Sequence, residues 1–180
     1  MKIEQHWLHD ATRVPSPNFD DRTDANDISL LVIHCISLPA GEFGNDYINQ
    51  LFCNVLNPDE HPYFPTIYQL KVSAHLLIKR TGEIVQYVPF DKRAWHAGVS
   101  CYQGREKCND FSIGIELEGT ECVPYTDEQY QQLNAVITVL LENYPTLSRQ
   151  HITGHSDIAP ERKTDPGASF DWGRVPRGTR

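Results

Sequence analysis

Apolar and polar positions recur along this chain with two periods, and the changes between them mark its elements. Leu30-Leu31-Val32-Ile33-His34-Cys35 is a continuous, β-branched apolar run that suits a buried central strand, ended by Pro39 and Gly41. Over 46–57 the apolar residues Ile48, Leu51, Phe52, Val55 and Leu56 recur at helical spacing until Pro58 stops them. Apolar runs at 73–78 and 84–88 bracket Arg80-Thr81-Gly82-Glu83, the pattern of a β-hairpin. Residues 111–118 alternate strictly, with Phe111, Ile113, Ile115 and Leu117 on one face and Ser112, Gly114, Glu116 and Glu118 on the other. The small residues beside Glu116 leave space above the sheet, as a site would need. The clearest helix spans 126–144: Thr126 with Gln129 makes a capping box, and Tyr130, Leu133, Ile137, Leu140, Leu141 and Tyr144 form an apolar stripe.

Between these elements the chain is expected to be irregular. Residues 1–28 are polar and carry Pro15 and Pro17, which predicts an irregular lead-in. Residues 151–173 are dense in His, Asp, Pro and Gly, and 174–180 read as an exposed tail. The whole of 1–180 is expected to form one α+β domain: a mixed central β-sheet flanked by two main helices, with long functional loops. A length of 180 residues suits one domain, with a core large enough to need no disulfide.

Charge narrows the function. Sixteen Lys and Arg against twenty-four Asp and Glu give a net charge of −8. That balance argues against nucleic acid and against an anionic membrane surface, and no stretch approaches the 18 or so apolar residues of a membrane span. Cysteines stand at 35, 53, 101, 108 and 122. They read as free thiols of a reducing compartment, with a Cys101–Cys108 bridge left open. The first ten residues lack the apolar core of a signal peptide, so a cytoplasmic protein is expected, and a monomer.

Several residue types could carry chemistry. His34, at the end of an apolar strand, is either a satisfied core histidine or a metal ligand. His155 and Asp165 lie ten apart in a Gly- and Pro-rich loop that is costly to hold unless something pins it. Zinc takes imidazole nitrogen and carboxylate oxygen, and a catalytic zinc has three protein ligands; His34, His155 and Asp165 would supply them. His151 and Asp157 are the rival ligands. Lys163, two residues before Asp165, is either a solvated lysine or a group that stabilises an oxyanion. Glu116 could move a proton, and Glu118 on the same face is its alternative. His75 and His96 are candidates to line a substrate pocket, while Arg105 and Lys107 could pair with substrate carboxylates.

At this point the residues resemble a known family. Gly154-His155, Ile158-Ala159-Pro160, Arg162-Lys163 and Asp165-Pro166-Gly167 look like the signature of AmpD-type zinc amidases. These are 1,6-anhydro-N-acetylmuramyl-L-alanine amidases of the amidase_2 group, which also holds phage lysozymes and peptidoglycan-recognition proteins. The likeness runs along most of the chain: Pro15-Ser16-Pro17-Asn18-Phe19, Val32-Ile33-His34, His61-Pro62-Tyr63-Phe64, Val72-Ser73-Ala74-His75, Ala94-Trp95-His96-Ala97-Gly98 and Phe170-Asp171-Trp172.

The resemblance implies one zinc per chain on His34, His155 and Asp165, with Glu116 as acid/base and Lys163 as transition-state stabiliser. It implies a small muropeptide as substrate, contacted by Lys71, His75, Trp95, His96, Ala97, Arg105, Lys107 and Asn109. Lys71 and Lys107 stand where arginine is expected in relatives, which keeps the charge but not the planar fork. The activity implied is hydrolysis of the lactyl–L-alanine amide in cell-wall recycling, which also keeps β-lactamase induction low. Rival readings are a non-catalytic peptidoglycan-binding module, a purely structural zinc, and a periplasmic amidase of broader range.

Overall fold

Short strands already punctuate the lead-in, where an irregular chain is expected: β1 (Ile3–Glu4), β2 (Trp7–Leu8), β3 (Thr12–Arg13) and β4 (Phe19–Asp21). Strands of two or three residues are too short to show a period, so only their pairing reveals them. They belong to a computed structural model that describes residues 1–178; residues 179 and 180 of the expected tail lie outside the described residues. The later strands are β5 (Leu30–Ile36), β6 (Leu76–Ile78), β7 (Ile84–Gln86), β8 (Lys92–Ala94), β9 (Cys101–Tyr102), β10 (Arg105–Glu106), β11 (Ser112–Glu118) and β12 (Ile152–Gly154). The helices are α1 (Tyr47–Phe52), α2 (Asp127–Asn143) and α3 (His155–Ile158).

The central sheet runs in the order β12-β5-β11-β6-β7-β3. Strands β12, β5, β11 and β6 are parallel, and β7 returns antiparallel to β6 through the expected hairpin, so the sheet is mixed. Strand β11 pairs with β5 so that Ile115 stands opposite Ile33 and Glu116 opposite His34. Successive side chains point to opposite faces. Leu31, Ile33, Ile113, Ile115 and Leu117 therefore pack together with Leu133, Val136, Ile137 and Leu140 of α2. His34 and Glu116 are left together on the other face. Full burial of each such apolar side chain is worth roughly 1.5–3 kcal/mol, which outweighs the weak helix propensity of Val136, Ile137 and Val139. Phe111 departs from the expected alternation. It follows a 3-10 turn over Cys108–Asp110 that rotates it toward Leu30 and Val32.

The expected capping box forms at α2: Thr126 Oγ1 accepts from the Gln129 N–H and Gln129 Oε1 accepts from the Thr126 N–H, both at 3.1 Å. Gln129 Nε2 then donates to the carbonyls of Ile78 and Glu118. The helix start is thus clamped to the ends of β6 and β11.

Three further regions differ from the sequence pattern. Helix α1 ends at Phe52 rather than 57. Ser16 Oγ and Asn18 Nδ2 take the Phe52 carbonyl, Asn54 turns left-handed at φ 62, and Val55 is 66% exposed instead of joining the stripe. Within 151–173, strand β12 extends the sheet beside β5 and α3 follows directly; elements of three and four residues leave no legible period. Nor is the end of the chain wholly exposed. Val175 is buried, and the Arg174 guanidinium lies 4.1 Å from the Tyr130 ring centroid. The five cysteines are unpaired, and among the described residues no helix is long and apolar enough to cross a membrane.

Candidate active site

The parallel strands β12, β5 and β11 end side by side, and the candidate site gathers at their carboxyl ends, the usual place for a site in an open sheet. His34 is the next-to-last residue but one of β5. His155 follows the last residue of β12 and opens α3. Asp165 lies ten residues on, and its loop is tied back because the Asp165 carbonyl accepts from the Ser156 N–H at 2.9 Å. His34 Nδ1 and His155 Nδ1 are 3.0 Å apart, and Asp165 Oδ2 is 3.2 Å from each. One ligand atom from each of the three falls within 4.8 Å of the others.

The hydrogen bonds behind this cluster show that it suits a cation. His155 Nε2 faces the Ala97 carbonyl at 3.2 Å, and since a carbonyl only accepts, that nitrogen must carry the proton. That leaves Nδ1 as the His155 nitrogen turned toward the other two groups. Burial pulls the His34 imidazole down to about 4, so it is neutral at physiological pH. Burial also opposes ionisation of Asp165, yet the His155 and His34 imidazoles beside it outweigh burial and hold its carboxyl well below the usual range. Two imidazole nitrogens and one carboxylate oxygen converging on one point are a donor set that zinc favours.

Glu116 sits beside this cluster on the neighbouring strand. It is 8% exposed, and its Oε2 is buried without a hydrogen-bond partner among the described residues. Burial pushes its carboxyl well above the ordinary value, the Asp165 charge adds to the effect, and Lys163 opposes it. Glu118, its sequence rival, is committed elsewhere: its carboxylate accepts from the Gly44 N–H at 2.5 Å and the Arg80 N–H at 3.0 Å. The other rivals are likewise engaged. Asp157 accepts from Thr153 Oγ1 and the Gly154 N–H, capping α3, and His151 meets Tyr102.

A cleft of about 650 Å³ opens over the cluster. His34, His155, Asp165, Glu116 and Lys163 all line it, together with Trp95 and His96. The remaining expected substrate contacts lie elsewhere. His75 is fully buried, its Nδ1 accepting from the Gly114 N–H and its Nε2 facing the Lys92 carbonyl. Ala97 is buried too, and Asn109 Oδ1 accepts from the N–H groups of His96 and Ala97; both work behind the cleft. Arg105 pairs with Asp27 and lies over the Phe111 ring. Lys107 is an exposed residue in a left-handed conformation. Neither borders the cleft. Lys71 is exposed between Leu70 and Val72, which do.

Sequence reasoning missed the apolar wall, built by Leu51 and Phe52 of α1 with Tyr63, Ile67, Leu70 and Val72. It also missed how the lead-in braces that wall. Asn18 Nδ2 donates to the Phe52 and Val72 carbonyls. Ser73 Oγ donates to the Asn18 carbonyl and accepts from the Trp95 N–H. Asp20 accepts from Trp95 Nε1 at 3.1 Å and from Arg93. Polar residues in a Pro-containing stretch give no spacing signal for such partners.

Gly114 makes room of a specific kind. A Cβ there would stand 2.5 Å from His96 Cγ, so the His96 ring occupies the space that the small residues of β11 leave open. Gly114→Ala is expected to destabilise the fold by about 1–3 kcal/mol, as overpacking does, read as a lower melting temperature. An unchanged melting temperature would mean that the His96 ring yields at no cost.

Comparison with known proteins bears on the same residues. The sequence profile of the N-acetylmuramoyl-L-alanine amidase family, Amidase_2, matches residues 24–168. A relative from Citrobacter freundii, the 1,6-anhydro-N-acetylmuramyl-L-alanine amidase AmpD, is 63% identical over 174 residues, covering 97% of this chain and 92% of its own. A crystal structure of a selenomethionine AmpD derivative superposes with a TM-score of 0.94 at 63% identity, over 97% of both chains. The Escherichia coli amidase AmiD, solved with the substrate anhydro-N-acetylmuramic acid-L-Ala-D-γ-Glu-L-Lys, matches at 29% identity and a TM-score of 0.60, over 82% of this chain and 56% of that one.

Proposed function

The chain belongs to the N-acetylmuramoyl-L-alanine amidase family, and from that premise we propose that it hydrolyses the lactyl–L-alanine amide of 1,6-anhydro-N-acetylmuramyl peptides in cell-wall recycling. One observation carries this reading: the His34–His155–Asp165 donor set converges beside the buried, unpartnered Glu116 oxygen at the floor of one cleft. A pure binding module has no use for that carboxylate. A structural zinc is usually enclosed by four ligands and rich in cysteine, whereas this triad lines an open cleft.

His34, His155 and Asp165 would hold one zinc ion. When bound, zinc supplies Lewis acidity, polarising a carbonyl and acidifying water. Glu116 takes the proton from the attacking water and passes it to the leaving L-alanine nitrogen. Its burial raises its proton affinity, which suits the first half of that task. Lys163, on the cleft wall, steadies the oxyanion as the carbonyl becomes tetrahedral. Trp95 and the apolar wall position the ligand. Lys71 is the cation we assign to the peptide carboxylates. The site is complete within one chain, as a monomer requires, and five unpaired thiols suit the cytoplasm.

Two measurements test this reading. Incubated with a soluble anhydromuramyl tripeptide and, separately, with intact sacculi, the enzyme should cleave the first in strong preference; faster release from sacculi would overturn the recycling role. Lys163→Ala should lower kcat more than it raises KM. The opposite pattern would make Lys163 a ligand-binding residue.

A further inference from the structure

His96 and Ala97 touch both imidazoles of the ligand cluster from behind. His96 Nδ1 lies 2.9 Å from His34 Nε2, and the Ala97 carbonyl takes the Nε2 proton of His155. The dipeptide itself is fixed. Asn109 Oδ1 accepts from the N–H groups of both residues, at 3.2 and 2.8 Å. Arg162 also donates to the Ala97 carbonyl, at 2.7 Å. His96 Nε2 is 3.1 Å from Ser112 Oγ, and the ring rests on Gly114, where a Cβ would collide with it.

We propose that the His96–Ala97 dipeptide, clamped by Asn109, orients both histidine ligands, and that His96 is the positioning residue that holds His34 in its Nε2-protonated form. This rests on the metal reading given above. An imidazole that binds a metal through Nδ1 must carry its proton on Nε2, and a buried N–H without an acceptor is costly. His96 Nδ1 is the acceptor in place for it, and Ser112 Oγ can in turn accept the His96 Nε2 proton. Sequence places a side chain behind one ligand and a backbone carbonyl behind the other, so only the first can be removed by substitution.

The test compares three proteins by competition with a zinc chelator. His96→Phe keeps the ring but deletes the acceptor, and should weaken zinc binding by about 10–100-fold, the usual effect of losing such a partner. His96→Asn puts an amide oxygen near the place of Nδ1 and should regain most of that loss. A purely structural role would weaken zinc binding equally in both variants, and that result overturns the proposal, as does a His96→Phe protein that binds zinc as tightly as wild type. Imidazole ¹⁵N spectra of the wild-type protein need no variant: His34 should be protonated on Nε2 with zinc bound, and protonation on Nδ1 would contradict the assignment. A wild-type chain that takes up no zinc at all is a separate outcome, which sinks the metal reading and this proposal with it.

Discussion

Replacing Glu116 by alanine is expected to lower turnover by about 10²–10⁴-fold while the protein still takes up one zinc. The expectation comes from the sheet register. Glu116 stands directly opposite His34 across the β5–β11 pair, yet it is not among the three groups whose ligand atoms cluster. On the function proposed above, its carboxylate serves the reaction and not the ion. Burial favours its protonated form, with the Asp165 charge adding and Lys163 opposing, so the group accepts a proton readily and is screened from bulk water while it does. Glu118→Ala makes the useful contrast. It removes the acceptor for the Gly44 and Arg80 N–H groups, so its effect should appear in thermal stability more than in turnover. Turnover of Glu116→Ala that matches wild type would remove the proposed acid/base role.

His34→Ala is expected to release the metal, with activity falling alongside. Because His34 Nδ1 is one of three converging donors, the loss of zinc affinity should exceed the roughly 100-fold that removal of an orienting partner causes. His151→Ala is the control, since His151 is engaged with Tyr102 instead of the cluster and its loss should leave zinc content unchanged. Metal analysis of both proteins after dialysis decides the matter. Stoichiometric zinc in purified His34→Ala would contradict the ligand set.

The elements that carry the site were legible where they are long. The apolar run at 30–35 and the alternation at 111–118 each appear as a seven-residue strand, and the capping box placed the start of α2 to the residue. Legibility failed where tertiary contacts decide. Helix α1 stops at Phe52 because lead-in residues take its carbonyl, and nothing within 46–57 announces that. His75 resembles a pocket residue in sequence but is sealed beneath Gly114. Near it the buried Arg22 guanidinium, drawn down to about 10 by burial, donates to the carbonyls of Phe90, Asn109, Asp110 and Ser112. A lone arginine in a polar stretch gives no hint of such a role. The ligand candidates were nameable from residue type and resemblance. The hydrogen bonds, not the sequence, show that the rival ligands Asp157 and His151, and Glu118 as the alternative to Glu116, have other partners.

The most direct test is mass spectrometry of a purified anhydromuramyl tripeptide incubated with the zinc-loaded enzyme in ¹⁸O-labelled water. One heavy oxygen should appear in the lactyl carboxylate of anhydromuramic acid and none in the released peptide, and a chelator should abolish the products until zinc is restored. Label in the peptide, scission at another bond, or products undiminished by the chelator would contradict the account.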